Sequence, residues 1–292
     1  KNHPAHGAMM MNFSANMLGL DNAATPLGLK AMKELQTINP EKDKASNAQI
    51  MFLVLNTSGL TIIPVSVMAY KTSYGSASPS DIFLPILIAT FFASLVGIIA
   101  VSIKQRINLF QPVILLYLGS ITVFIISLLI WLTQSPEYIS PVSKIGGNLL
   151  LFSIIIFFII LGIRKKVNVY DAFIDGAKGG FEMALKIIPF LVAILVAIGV
   201  FKAVGAMEML LQGTKDLLVY TGVMYTEFVD ALPVAIMKPL SGGAARGMML
   251  EVFDTHGVDS FAGKVAATLQ GSTETTLYVL AVYFGSVGIK NT

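Results

Sequence analysis

The sequence has no cysteine, which excludes disulfide scaffolds, Cys-ligated zinc or iron–sulfur sites and thiol catalysis. Charge is scarce as well. Asp, Glu, Lys and Arg make up 13% of the 292 residues, against ~25% in an ordinary soluble domain. Hydrophobic residues reach 55% and the mean hydropathy is +0.75. So few polar groups cannot clothe the surface of a soluble protein of this size. A soluble enzyme and a disordered chain are therefore excluded. The net charge of +3 is small and scattered, so no nucleic-acid partner is expected. The sequence has no phosphate-binding loop, nucleophile elbow, zinc-protease motif or dinucleotide fingerprint. No enzymatic activity and no cofactor are expected. His3 and His6 have the H-x-x-H spacing but no third ligand near them. No charged segment leads into a short apolar run at the start, so no signal peptide is expected there.

The chain does have long apolar runs. Residues 83–103, 112–132 and 145–163 carry no charge, and 187–203 has only Lys202. A bilayer core of ~30 Å takes roughly 20 such residues per helix. The composition predicts an all-α, multi-pass integral membrane protein in a lipid bilayer. Lys104, Arg106 and Arg164–Lys166 follow two of the runs, whereas the 133–144 loop is poor in basic residues. By the positive-inside rule, 83–103 runs inward, 112–132 outward and 145–163 inward. Residues 167–186 have helical amphipathic spacing and predict a helix lying on the cytoplasmic interface, with 207–219 a second.

Four other apolar stretches are broken. Residues 8–29 contain Asn12, Asn16, Gly19, Asp21 and Pro26; residues 48–70 contain Asn56-Thr57-Ser58-Gly59 and Pro64. Residues 228–247 contain Pro233, Pro239 and Ser241-Gly242-Gly243, and residues 265–288 contain the polar run Gln270–Thr276. Irregular backbone at membrane depth survives only where protein buries it or where it lines a wet cavity. The function is expected in these four segments. They also suggest an internal repeat of low identity: Asn22–Thr25 aligns with Gly243–Arg246, and laying Ser58 on Thr273 places Thr61 on Thr276. Paired broken segments of this kind point to a transporter site.

Glu274, expected inside an apolar helix, is the sharpest candidate, because a charge there costs roughly 2.5–3.5 kcal/mol unless it faces a cavity or a partner. It is read as a substrate, ion or proton site, or as a structural pair with Arg246 or Lys238. Arg246 and Lys238 flank a Gly-rich break suited to an anion, although Arg246 at a membrane boundary is an equal reading. Asn22, Thr25, Asn56, Thr57, Ser58, Ser241, Gln270, Ser272 and Thr273 supply neutral hydrogen-bonding groups, either as a site or as interhelical glue.

These motifs carry a family resemblance. HPAHG (3–7), NAATPLG (22–28) and NTS with the following IP (56–64) resemble spore maturation protein A. YDAFIDGAKGGF (170–181), KPLSGGAA (238–245), QGSTETTLY (270–278) and YFGSVGIK (283–290) resemble spore maturation protein B. Both are similar to the nucleoside-recognition or Gate group, which includes nucleoside transporters and a ferrous-iron transporter. The resemblance implies a fusion of two Gate-like units with broken or re-entrant helices in inverted pseudo-symmetry. Residues 1–106 would be the A-like unit, lacking its N-terminal helices, 107–145 a linker with one extra transmembrane helix, and 146–292 the B-like unit. It implies a transporter or channel for a small polar solute, nucleoside-like or another metabolite, in the bacterial inner membrane, with a homo-oligomer as a possible assembly. The alternative is a non-transporting membrane component that acts in envelope or spore maturation through protein partners.

Overall fold

The computed structural model describes the backbone of every residue except 1–2, 21–23, 60 and 292, and all side chains on it except 136 and a set between 179 and 202. Among the described residues the protein is helical, with one isolated bridge from Lys44 to Asn291. Three helices are long and apolar enough to cross a membrane: Pro79–Gln105, Pro112–Gln134 and Ile139–Arg164.

Each broken stretch becomes two helices with an irregular segment between them. The first gives α1 (Pro4–Met17) and α2 (Thr25–Thr37), and the second α3 (Asn47–Thr57) and α4 (Val65–Ser73). After the three spans, the third gives α11 (Leu232–Met237) and α12 (Gly242–His256), and the fourth α13 (Phe261–Ser272) and α14 (Thr276–Gly285). Local chemistry sets the helix starts. Ser46 and Gln49 form a reciprocal capping box on α3, and Ser241 and Ser260 cap α12 and α13 through the amides of Ala244 and Gly263. His3 is engaged in the same way, its Nδ1 accepting from the Ala5 amide at the start of α1.

Between the broken pairs lie α5 (Phe83–Gln105), then α6 (Pro112–Ile114) running through a π-helical turn into α7 (Ser120–Gln134), then α8 (Ile139–Arg164). Ser143 seats α8 on α5: its hydroxyl donates to the Ser80 and Asp81 carbonyls and accepts from the Leu84 amide. Gly147 lies flat on Phe83, where a Cβ would come within 3.1 Å of the ring's own Cβ. The outer faces of these helices, with Leu116, Phe124, Phe152 and Phe157 exposed, present apolar surface that lipid covers.

Residues 167–203 differ from the expectation of an interfacial helix followed by a separate span. One continuous helix, α9 (Val169–Ala203), covers both, and Gly205 with φ +72° turns the chain into α10 (Ala206–Tyr220). The amphipathic pattern gives way to the apolar one without any turn chemistry between them.

The apolar core forms two clusters that do not follow chain order. One joins α1, α2 and α3 to α14 through Ala31, Met32, Phe52, Val279 and Tyr283. The other joins α4 and α5 to α11, α12 and α13 through Ile63, Ile86, Val234, Met249 and Ala266. The α3–α4 pair thus starts in one cluster and ends in the other, and the α13–α14 pair makes the opposite crossing.

Candidate functional site

The two crossings meet at their breaks. Gly59 has φ +94°, and a Cβ added there would fall 2.5 Å from the Ser272 carbonyl oxygen, so backbone passes against backbone. Only glycine accepts that combination cheaply. The Glu274 amide donates to the Thr57 carbonyl at 3.4 Å. Each break is also tied to another broken pair: Ile62 and Ile63 donate to the Met17 carbonyl at 2.8 and 2.9 Å, and Leu277 donates to that of Pro239 at 3.0 Å.

A cleft of about 20 Å³ lies in this seam. That is room for one water-sized group, which needs roughly 10–15 Å³. Thr61, Ser66 and Tyr70 line it from the first crossing, Gln270, Thr273 and Glu274 from the second, and Lys238 and Arg246 from the third broken segment. Lys238 and Arg246 are each 4% exposed, and Gln270 is 5%. The Arg246 guanidinium lies over the Tyr70 ring at 5.5 Å, a cation–π distance. The Lys238 ammonium has no hydrogen bond or ion pair among the described residues; Glu274 reaches it only through its field. The Gln270 Oε1 is buried without a hydrogen-bond partner.

The structure sorts the expected site residues into three groups. Arg246, Gln270, Thr273 and Glu274 come together at the cleft. Glu274 lies in the 273–275 break and not inside a helix, which leaves its carboxylate half-buried at the opening. Asn56 belongs elsewhere: its Nδ2 donates to Asn12 Oδ1 at 2.6 Å and its Oδ1 accepts from Asn16 at 2.9 Å. Asn12 in turn donates to the Ala24 carbonyl and to the Tyr283 hydroxyl. This knot binds α1, α3 and α14 together and leaves no amide over. Ser58 also holds the backbone, donating to Leu55 and sharing a 2.9 Å hydrogen bond with Ser94. Thr57 hydrogen-bonds the Val54 carbonyl, Ser241 caps α12, Thr25 opens α2 and Ser272 closes α13, none of them lining the cleft. Asn22 lies outside the described residues.

Sequence reasoning missed Thr90 and Ser94. Both sit on α5, and Thr90 accepts from the Thr61 amide and donates to the Ser58 carbonyl, satisfying the irregular backbone of the first break. Two hydroxyls four residues apart on one face of a charge-free span were the available signal. Lys71 was also missed. It is fully buried and pairs with Asp81 at 3.2 Å and Asp259 at 3.1 Å, while Lys264 pairs with Asp81 at 3.1 Å. Asp259 accepts further hydrogen bonds from Ser76 and the Ala77 amide. This cluster fastens α4 and the turn before α5 to the loop between α12 and α13. Asp230, beside the third broken segment, is paired with Lys215 of α10 at 2.7 Å.

Three apolar helices long enough to span a bilayer, beside broken helices that carry buried charges where they cross, define a multi-pass membrane protein. The chain belongs to the spore maturation protein family. It is 45% identical over 144 residues to spore maturation protein B of Bacillus subtilis (strain 168), covering 49% of this chain and 79% of that protein. It is 44% identical over 97 residues to spore maturation protein A of the same organism, covering 33% of this chain and 50% of that protein. The two matches together are those of a fused A and B sequence. No family model and no solved structure matches the chain.

Proposed function

We propose that the protein is a transporter or channel for a small polar solute, with its site in the seam where the broken helices cross. One observation carries the reading: Lys238 and Arg246 from one broken segment and Gln270 and Glu274 from another converge on a single buried cleft. Charges inside a membrane protein are costly and mark solute or ion pathways by default. We further propose two Gate-like units, 1–106 and 146–292, joined by 107–145 and related by inverted pseudo-symmetry. The register of the seam supports this. The donors at the two breaks, Ile62 and Leu277, stand in the same alignment as Ser58 with Thr273. In this reading Glu274 carries a proton or cation or meets a substrate amine, and Arg246 favours an anionic group.

The test is flux into proteoliposomes for a panel of labelled nucleosides, amino acids and carboxylates. Glu274→Gln is expected to abolish uptake while the melting temperature stays within a few degrees of wild type. Wild-type uptake by the variant would reject the role of Glu274. A second reading, a non-transporting component that docks protein partners, is favoured by the small size of the cleft; the 246–264 segment expected to carry such docking is mostly buried where it runs in α12 and is not a free surface there. That reading predicts no flux for any solute and retrieval of a specific protein partner.

A further inference from the structure

The seam holds two unmet demands of opposite kind. Lys238 offers an ammonium with three N–H donors, 4% exposed and with no hydrogen-bond acceptor among the described residues. Gln270 offers a carbonyl oxygen, in a side chain 5% exposed, with no donor. Both line the same cleft. A buried charge and a buried acceptor left open each cost free energy, and a ligand that satisfied both would recover it. A neutral solute satisfies the amide and leaves the ammonium uncompensated. A plain anion satisfies the ammonium and leaves the amide oxygen against a like charge.

We infer that the seam binds a small solute that joins an oxyanion group to an N–H or O–H donor, with the anionic oxygen on Lys238 and the donor on the Gln270 Oε1. This rests on the reading of the seam as a solute site and narrows it. Arg246, held over Tyr70, lines the same cleft. The enclosed space of about 20 Å³ takes only the charged head. The rest of the solute extends toward exposed Thr273 and half-buried Glu274, where the cleft opens. Hydroxy acids, amino acids and hydrogen phosphate share this chemistry; nucleosides do not, because they lack the charge.

The experiment uses the purified full chain with five probes: L-lactate, L-alanine, inorganic phosphate, acetate and uridine. Thermal unfolding is followed in detergent and uptake in proteoliposomes. At about 100 times its dissociation constant, a probe that binds only the folded state should raise the melting temperature on the order of 5 °C. At least one of lactate, alanine and phosphate should do so saturably, and which one does identifies the source. Acetate should bind about tenfold more weakly, and uridine should give no shift. Lys238→Met should weaken the responding probe by about tenfold or more without lowering the melting temperature of the protein alone, and Lys238→Arg should restore the response. A uridine shift that survives Lys238→Met overturns the inference, as does the absence of any shift with lactate, alanine and phosphate alike. Flux separates the two readings. A probe among these three that binds without being taken up upholds the inference and defeats transport. Uptake of uridine alone upholds transport and defeats the inference.

Discussion

Two polar clusters are buried equally deep and behave in opposite ways. Asn12, Asn16 and Asn56 are at most 2% exposed, and each amide is consumed by another amide, a carbonyl or the Tyr283 hydroxyl. Lys238 and Gln270 are at most 5% exposed, and the ammonium of one and the carbonyl oxygen of the other have no partner among the described residues. Burial therefore does not distinguish the two clusters; saturation does. Lys71 makes the same point with the same residue type. It is as deeply buried as Lys238 and is surrounded by Asp81, Asp259 and the Val258 carbonyl.

The largest expected effect comes from treating the two lysines alike. Lys71→Met removes the buried cation shared by Asp81 and Asp259, leaves Asp81 with Lys264 alone, and should cost roughly 3–4 kcal/mol, the lower part of the penalty for breaking a buried pair from one side. Lys238→Met should leave stability unchanged or slightly raised, because no partner is stranded. Equilibrium unfolding in mixed micelles compares them directly, and equal losses would break the contrast. Gly59→Ala should cost about 3 kcal/mol, from its positive φ and the Ser272 carbonyl against which a Cβ would be forced. That cost measures how tightly the breaks are pressed together. Asn56→Leu should cost roughly 1–3 kcal/mol, since it leaves buried Asn12 and Asn16 groups open, and should leave solute binding untouched. A change in binding would join the two clusters that the structure keeps apart.

The smallest effect is acid sensitivity at the Lys71–Asp81–Asp259 cluster. Burial pushes the Asp259 carboxyl up, but hydrogen bonds from Ser76 and the Ala77 amide and the Lys71 charge outweigh it and hold it below the usual carboxylate range. A lowered folded value stabilises the protein above the unfolded value of ~3.9, and that contribution is lost as the pH falls through the folded value. Unfolding followed from pH 6 down to pH 3 should show this loss, and Asp259→Asn should flatten it.

The four breaks were legible because Gly, Pro and clustered Asn, Ser and Thr inside apolar stretches have no other use at membrane depth. Glu274, Arg246, Gln270 and Thr273, which line the cleft, were legible as candidates because charged and polar groups stand out in or beside those stretches. The sorting was not. Asn56 and Gln270 look alike in sequence, and only the neighbours that folding brings from α1 and α14, or withholds, decide which is satisfied. The continuity of α9 was hidden because a change from amphipathic to fully apolar pattern looks like a boundary. Thr90 and Ser94 were hidden inside a run that looked complete as a span.

The crossed helices have a consequence for how the chain is put together. Because α14 completes the cluster built by α1, α2 and α3, and α4 with α5 completes the one built by α11, α12 and α13, neither end of the chain can close a core alone. A chain severed between α5 and α6 would yield two fragments, each missing a wall the other holds. Such fragments would be mutual templates: unstable apart, and, once both are in the same bilayer, driven to reassemble by the surfaces each leaves open.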